Sequence, residues 1–162
     1  MNIWILVVIV SLVATPAFAD ATADAKAQSD AFARAVNAGD VKATLALYAN
    51  NARVIWPGQG DEAKGKAEIE KLIVNTMKAF PGAKMTLKSQ EAIPLGSGYI
   101  ATIGKWEMSF KGSDGKVQTM EIRTSEVIKK QRHRTVYVID HASVGLPPPG
   151  EEGATGASPA PQ

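Results

Sequence analysis

Between Lys84 and Val144 apolar and polar residues alternate in four runs divided by turn signals, which restricts this part of the chain to a meander of strands. Lys84 to Ile93 alternates first, and Pro94 to Gly98 turns the chain. Tyr99 to Lys111 follows, with Gly112-Ser113-Asp114-Gly115 as a glycine-containing hairpin loop. Lys116 to Lys130 is a long strand, Gln131 to His133 a turn, and Thr135 to Val144 closes the set. That last strand contains TVYVIDHAS (Thr135 to Ser143), which ends on an acid and one of the chain's two histidines.

The preceding half is helical in period. Ala27, Ala31, Phe32, Ala35 and Val36 fall on one face of a helix over Ala21 to Asn37, which Asn37-Ala38-Gly39 ends. Asp40 is placed to cap a second, short helix over Val41 to Tyr48. Asn50-Asn51 reads as a turn and Arg53 to Trp56 as a short strand, broken by Pro57-Gly58. Gly65 to Ala79 is a third helix, with Ala67, Ile69, Leu72, Ile73, Thr76, Met77 and Phe80 as its buried stripe and Pro81-Gly82 as its stop.

A chain of 162 residues suits one domain, and a net charge of +2 is too small to point to nucleic acid. With no cysteine there is neither a disulfide framework nor a thiolate metal site, and a lipoprotein anchor is excluded. Residues 1–19 read as a secretory signal peptide: an apolar run from Ile3 to Val13, then Pro16 and the small-x-small site Ala17-Phe18-Ala19. The run is short for a membrane span, so the expected product is periplasmic or secreted, without a stable membrane anchor once cleaved. The domain then covers 20–144. Residues 145–162, rich in proline and glycine, lack the apolar side chains needed to offset the entropy of ordering and read as a disordered tail.

Helices followed by long antiparallel strands make an α+β fold: a curved antiparallel sheet packed on about three N-terminal helices, leaving a cone with an open end. The run AFARAVNAGDVKATLALYANNARVIWPGQGDEAKGKAEIEKLI and the closing YVIDHAS resemble the NTF2-like superfamily, specifically its SnoaL-like and DUF4440 branch, over about residues 22 to 144. One departure is Asn50-Asn51, where relatives usually carry acids. The resemblance implies a cone-shaped NTF2-like fold. It implies no single reaction, because the superfamily includes isomerases, dehydratases, cyclases, ligand binders and oligomerisation domains.

A small-molecule pocket needs apolar walls and a few convergent polar groups. Trp56, Tyr99, Trp106, Met120 and Phe80 are candidates for the walls, and Arg123, Tyr137, Asp140 and His141 for the polar groups. Strict alternation puts Tyr137 and His141 on one face of the last strand and Asp140 on the other, so Asp140 and His141 cannot share a pocket unless a bulge intervenes. His141, on the face with Tyr137, is the preferred base and Asp140 the alternative, with a packing role for the histidine and a paired carboxylate as the bland readings. Arg123 would imply an anionic ligand or a carboxylate partner if its face were concave.

A metal site is not expected, since only His133 and His141 supply imidazole, and they lie far apart along the strand. The basic turn of Lys129, Lys130, Arg132, His133 and Arg134 reads as a solvated hairpin end. The expected function is cofactor-independent proton transfer, of isomerase or dehydratase type, on a small, largely apolar molecule. The alternative is a non-catalytic binding or homodimer-forming module.

Overall fold

The computed structural model describes residues 16–58, 62–112, 114–132 and 134–144. The expected signal peptide and the Pro/Gly-rich tail therefore lie largely outside the described residues, as does His133. Helix α1 spans Pro16–Asn37, α2 Val41–Ala46 and α3 Gly65–Ala79, with strands β1 (Tyr48–Ile55), β2 (Ala63–Lys64), β3 (Lys84–Gly96), β4 (Tyr99–Lys111), β5 (Val117–Gln131) and β6 (Arg134–Val144). They form one curved sheet in the order β2-β1-β6-β5-β4-β3. The four long strands β3 to β6 pair antiparallel as expected, as does β1 with β2, and the short β1 runs parallel to β6. No helix among the described residues is long and apolar enough to cross a membrane.

Local chemistry sets the helix ends. Gly39, at φ +67, lets the chain leave α1 while the Asp40 N–H still bonds the Ala35 carbonyl at 3.0 Å. The Asp40 carboxylate then accepts from Ala43 N at 2.8 Å and caps α2. That helix stops earlier than its apolar pattern suggests, because Tyr48 is already the first residue of β1 and Asn50-Asn51 lies within the strand. The register shifts between Tyr48 and Arg53 absorb those two asparagines, both exposed. At the start of α3, Glu68 reaches back to accept from Lys64 N at 2.8 Å, and the helix buries Ile69, Leu72 and Ile73. Ala67, expected in that stripe, is exposed.

Strand β6 carries the irregularity that decides the site. Val127 of β5 pairs with Ile139 and Ile128 with Tyr137, so Val138 is one residue extra. Such a bulge reverses the alternation beyond it. Tyr137 and Asp140 therefore both turn toward the helices, while Ile139 and His141 are exposed on the outer face. The interior holds two apolar clusters, one under α3 and one toward β3 and β4, and Phe32 and Trp56 pack against both.

The turn between β3 and β4 offers a simple test of local strain. Gly96 pairs with Tyr99, leaving Ser97 at φ +51 and Gly98 at φ +77 as a two-residue loop with both dihedrals positive. Asn-Gly suits such a turn better than Ser-Gly, since asparagine tolerates the left-handed region. Ser97→Asn is expected to stabilise the fold by about 0.5 kcal/mol, read as a higher midpoint in urea with an unchanged slope.

Candidate active site

The buried polar groups of the sheet gather along adjacent strands rather than at one strand end. Asp140 is 3% exposed and faces Glu126 of β5 in register, and Glu126 in turn faces Thr102 of β4. Tyr48, at the start of β1, donates its hydroxyl to Asp140 Oδ2 at 2.6 Å. Trp56, just past the end of β1, donates Nε1–H to the same oxygen at 3.0 Å. Thr102 Oγ1 donates to Glu126 Oε2 at 2.5 Å. In the next row Thr124 lies on β5 opposite Ala142, and its buried hydroxyl makes no well-formed hydrogen bond, although it lies near enough to Glu126 to lower the pKa of that acid. The buried Tyr137 hydroxyl has none either, although Ser29 of α1 lies near enough to lower its pKa.

Aromatic rings close the cluster on the helix side. Phe32 of α1 stands edge-on to Trp56, Trp106 and Tyr137, with ring centres 6.2, 5.8 and 6.0 Å away. Tyr48 and Tyr137 lie 5.2 Å apart between centres. Phe32 and Trp56 are half-buried and connect the cluster to solvent. Two cavities found among the described residues are lined by neither Asp140 nor Glu126. One of about 170 Å³ is bordered by Lys88, Trp106, Glu107 and Met120, and one of about 330 Å³ by Arg34, Ala35, Asp40 and Leu47.

This enclosure sets the protonation of the acids. Burial first, then the charge of Asp140, pushes Glu126 up to about 8, against the smaller lowering influence of Thr102 and Thr124. Burial also raises Asp140, while the bonds from Tyr48 and Trp56 and the charge of His141 pull it back. Tyr48 and Tyr137 are raised well above the ordinary tyrosine value, chiefly by burial and then by these carboxyls, so both stay neutral. Among the described residues no lysine or arginine hydrogen-bonds to either acid. A carboxyl pair of this kind can give and take protons near neutral pH.

Of the residues selected from sequence, Asp140, Trp56, Trp106 and Tyr137 meet in the interior, and three do not. His141 is exposed on the outer face, beside Ile55 and Ser125, because the Val138 bulge separates it from Tyr137. The preference for His141 over Asp140 as the inward group is corrected accordingly. Arg123 also lies on the outer face, 62% exposed and paired with Glu121 at 3.3 Å, so it implies no anionic ligand in the cone. Tyr99 sits at the β3–β4 turn with Lys129 Nζ 4.8 Å above its ring, outside the cluster. Met120 and Phe80 pack in the second apolar cluster. In the basic turn, Lys130 is held by Asp24 at 2.7 Å and Arg134 donates to the Ala46 carbonyl at 3.5 Å.

The residues that sequence reasoning missed are Tyr48, Thr102, Thr124 and Glu126. Glu126 did leave a signal, since it alternates with Ile122, Thr124 and Ile128 on the apolar face of β5. An acid in such a stripe is unusual enough to mark.

Comparison with known proteins agrees with this geometry at the level of fold. Comparison with curated proteins gives no significant match. A candidate dehydratase of the NTF2-like family from Streptomyces avermitilis superposes with a TM-score of 0.72 at 14% identity, covering 80% of this chain and 99% of that one. A candidate scytalone dehydratase from Novosphingobium aromaticivorans gives 0.72 at 7% identity, over 82% and 89% of the two chains. A candidate calcium/calmodulin-dependent protein kinase II association domain from Xanthomonas campestris gives 0.68 at 16% identity, over 75% and 85%. The family model of the SnoaL-like domain matches residues 30–138, the stretch from α1 through the bulge of β6. The chain therefore belongs to the SnoaL-like family of the NTF2-like superfamily.

Proposed function

We propose that the interior of the cone binds a small, neutral, largely apolar molecule and moves a proton on it in a cofactor-independent isomerisation or dehydration, with Asp140 as the base. The observation that carries this reading is the buried Asp140 carboxyl, held on one oxygen by Tyr48 and Trp56, beside a second buried acid and under aromatic rings. A carboxylate fixed and desolvated in this way is a stronger base than one in water. The fold likeness to candidate dehydratases supports the class of chemistry, while the substrate is a matter for screening. The protein would act in the periplasm or outside the cell after cleavage behind Ala19.

Thermal shift against a metabolite library tests the reading, because a ligand that prefers the folded state must raise the melting temperature. The hits are expected to lose their shift with Asp140→Asn and to keep it with His141→Ala. Equal shifts in both variants and the parent would remove Asp140 from the site.

A second reading, homodimerisation through the outer sheet face, rests on a different observation. Ile139 and Ile93 lie in one cross-strand row and Ile55 and Ile103 in the next, all exposed on that face. Exposed apolar side chains grouped on one sheet face mark interaction sites. Light scattering across a dilution series is expected to give twice the chain mass, falling to the monomer with Ile139→Lys. A monomer at every concentration removes this reading.

A further inference from the structure

The two buried acids have hydrogen-bond partners of different kinds, and the difference assigns a proton. Asp140 Oδ2 receives two hydrogens, one from Tyr48 and one from the indole N–H of Trp56, which can only donate. Two donors on one oxygen favour the ionised carboxylate over the neutral acid. Glu126 meets only hydroxyls, that of Thr102 at 2.5 Å and that of Thr124 beside it, and a hydroxyl can give or take a hydrogen, so these contacts survive protonation of Glu126. Two like charges on facing register positions in a buried sheet are costly, and among the described residues no cationic side chain bonds to either. From these contacts we infer that the pair holds one proton, that it resides on Glu126, and that Glu126 is the proton donor of the site, with Asp140 the acceptor.

The surroundings agree. The groups facing the pair are Tyr48 from β1, Thr102 from β4, Thr124 from β5, Tyr137 from β6 and the neutral Ser29 and Phe32 from α1, with His141 influencing Asp140 from the far side of β6. Thr124 and Tyr137, 7% and 1% exposed, present hydroxyls without a well-formed hydrogen bond, the first beside Glu126 and the second near Ser29. Buried hydroxyls of this kind call for a polar group to complete them. A hydroxyl or carbonyl oxygen of a neutral ligand has the matching chemistry, since it can accept from Glu126 and bond to such hydroxyls.

This assignment deepens the proton-transfer reading and rests on it only for the reaction. In a dehydration, the Asp140 carboxylate removes a proton from carbon and Glu126 gives its proton to the hydroxyl on the neighbouring carbon. The C–H and C–O bonds break, a C=C bond forms and water leaves. The pair still holds one proton, now on Asp140, and its return to Glu126 restores the starting state. Environments that differ across two neighbouring acids assign acid and base in this manner.

Infrared spectroscopy of the ligand-free protein near pH 6 tests the location of the proton. The carbonyl band of one buried carboxylic acid is expected in the parent, lost in Glu126→Gln and kept in Asp140→Asn. Should Asp140→Asn fail to fold, Thr102→Val will move the band of the parent pair and Trp56→Phe will leave it in place. Absence of the band in the parent, its loss in Asp140→Asn, its persistence in Glu126→Gln, or a shift with Trp56→Phe but not Thr102→Val overturns the assignment. No ligand enters this measurement, so the proton's location and the ligand screen can fail separately.

Discussion

Raising the pH from about 5 to about 9 will lower the melting temperature by roughly 10–20 °C, and Glu126→Gln will abolish most of that fall. The sign follows from proton counting. Burial raises the Glu126 pKa in the folded chain from 4.5 to about 8, so between those values the folded state binds more protons than the unfolded one. Stability is fully present below the unfolded value and is lost as pH rises through the folded one. The span corresponds to roughly 5 kcal/mol at most, and relaxation around the ionised pair reduces it to ~3–5 kcal/mol. The raised pKa of Asp140 acts in the same direction. Glutamine keeps the shape of the neutral acid and a group that can bond Thr102, so the variant should match the parent near pH 5 and exceed it near pH 9. Melting curves by circular dichroism across this range decide the matter. A flat parent profile, or a Glu126→Gln profile as steep as the parent's, defeats the prediction.

That prediction depends on a residue that the alternation of β5 placed on the right face but did not single out. Alternation is a local property, and it assigned Glu126, Thr124, Ile122 and Ile128 to one face and Arg123 to the other. Which face would be concave was not legible, because that depends on where the helices pack. The bulge at Val138 was illegible for a related reason. It shows only as a mismatch in pairing between β5 and β6, and no glycine or proline marks it in the sequence. One extra residue moved Tyr137 to the side of Asp140 and left His141 on the outer face. The long strands, the α1–α2 corner and the Gly65–Ala79 helix were legible, since each rests on periodicity and on turn residues within a few positions. Tyr48 fell on the wrong side of that boundary: its pattern continues α2, yet its hydroxyl is used by an acid 92 residues away.

Gly104→Ala is expected to cost about 1–3 kcal/mol, although an alanine in a strand ordinarily gains stability over glycine. Gly104 sits on β4 between Gln90 and Thr124 in register, and its φ is not in the left-handed region, so backbone freedom does not explain it. Space does. A Cβ at this position would lie 2.7 Å from Thr124 Oγ1 and 3.2 Å from Trp106 Nε1. Thr124 is branched at Cβ and stiff, and Trp106 is 1% exposed, so neither can swing away cheaply. The test is a double-mutant cycle in urea. In a Thr124→Ala background the nearer contact is gone, and the cost of Gly104→Ala should fall below about 1 kcal/mol, a coupling of roughly 1–2 kcal/mol. Equal costs in the two backgrounds would show that Thr124 does not set the requirement for glycine. The same contact ties packing to chemistry, because the missing side chain at Gly104 is what lets the Thr124 hydroxyl lie beside Glu126. Displacing that hydroxyl removes an influence that lowers the Glu126 pKa, so Gly104→Ala should also shift the loss of stability to higher pH.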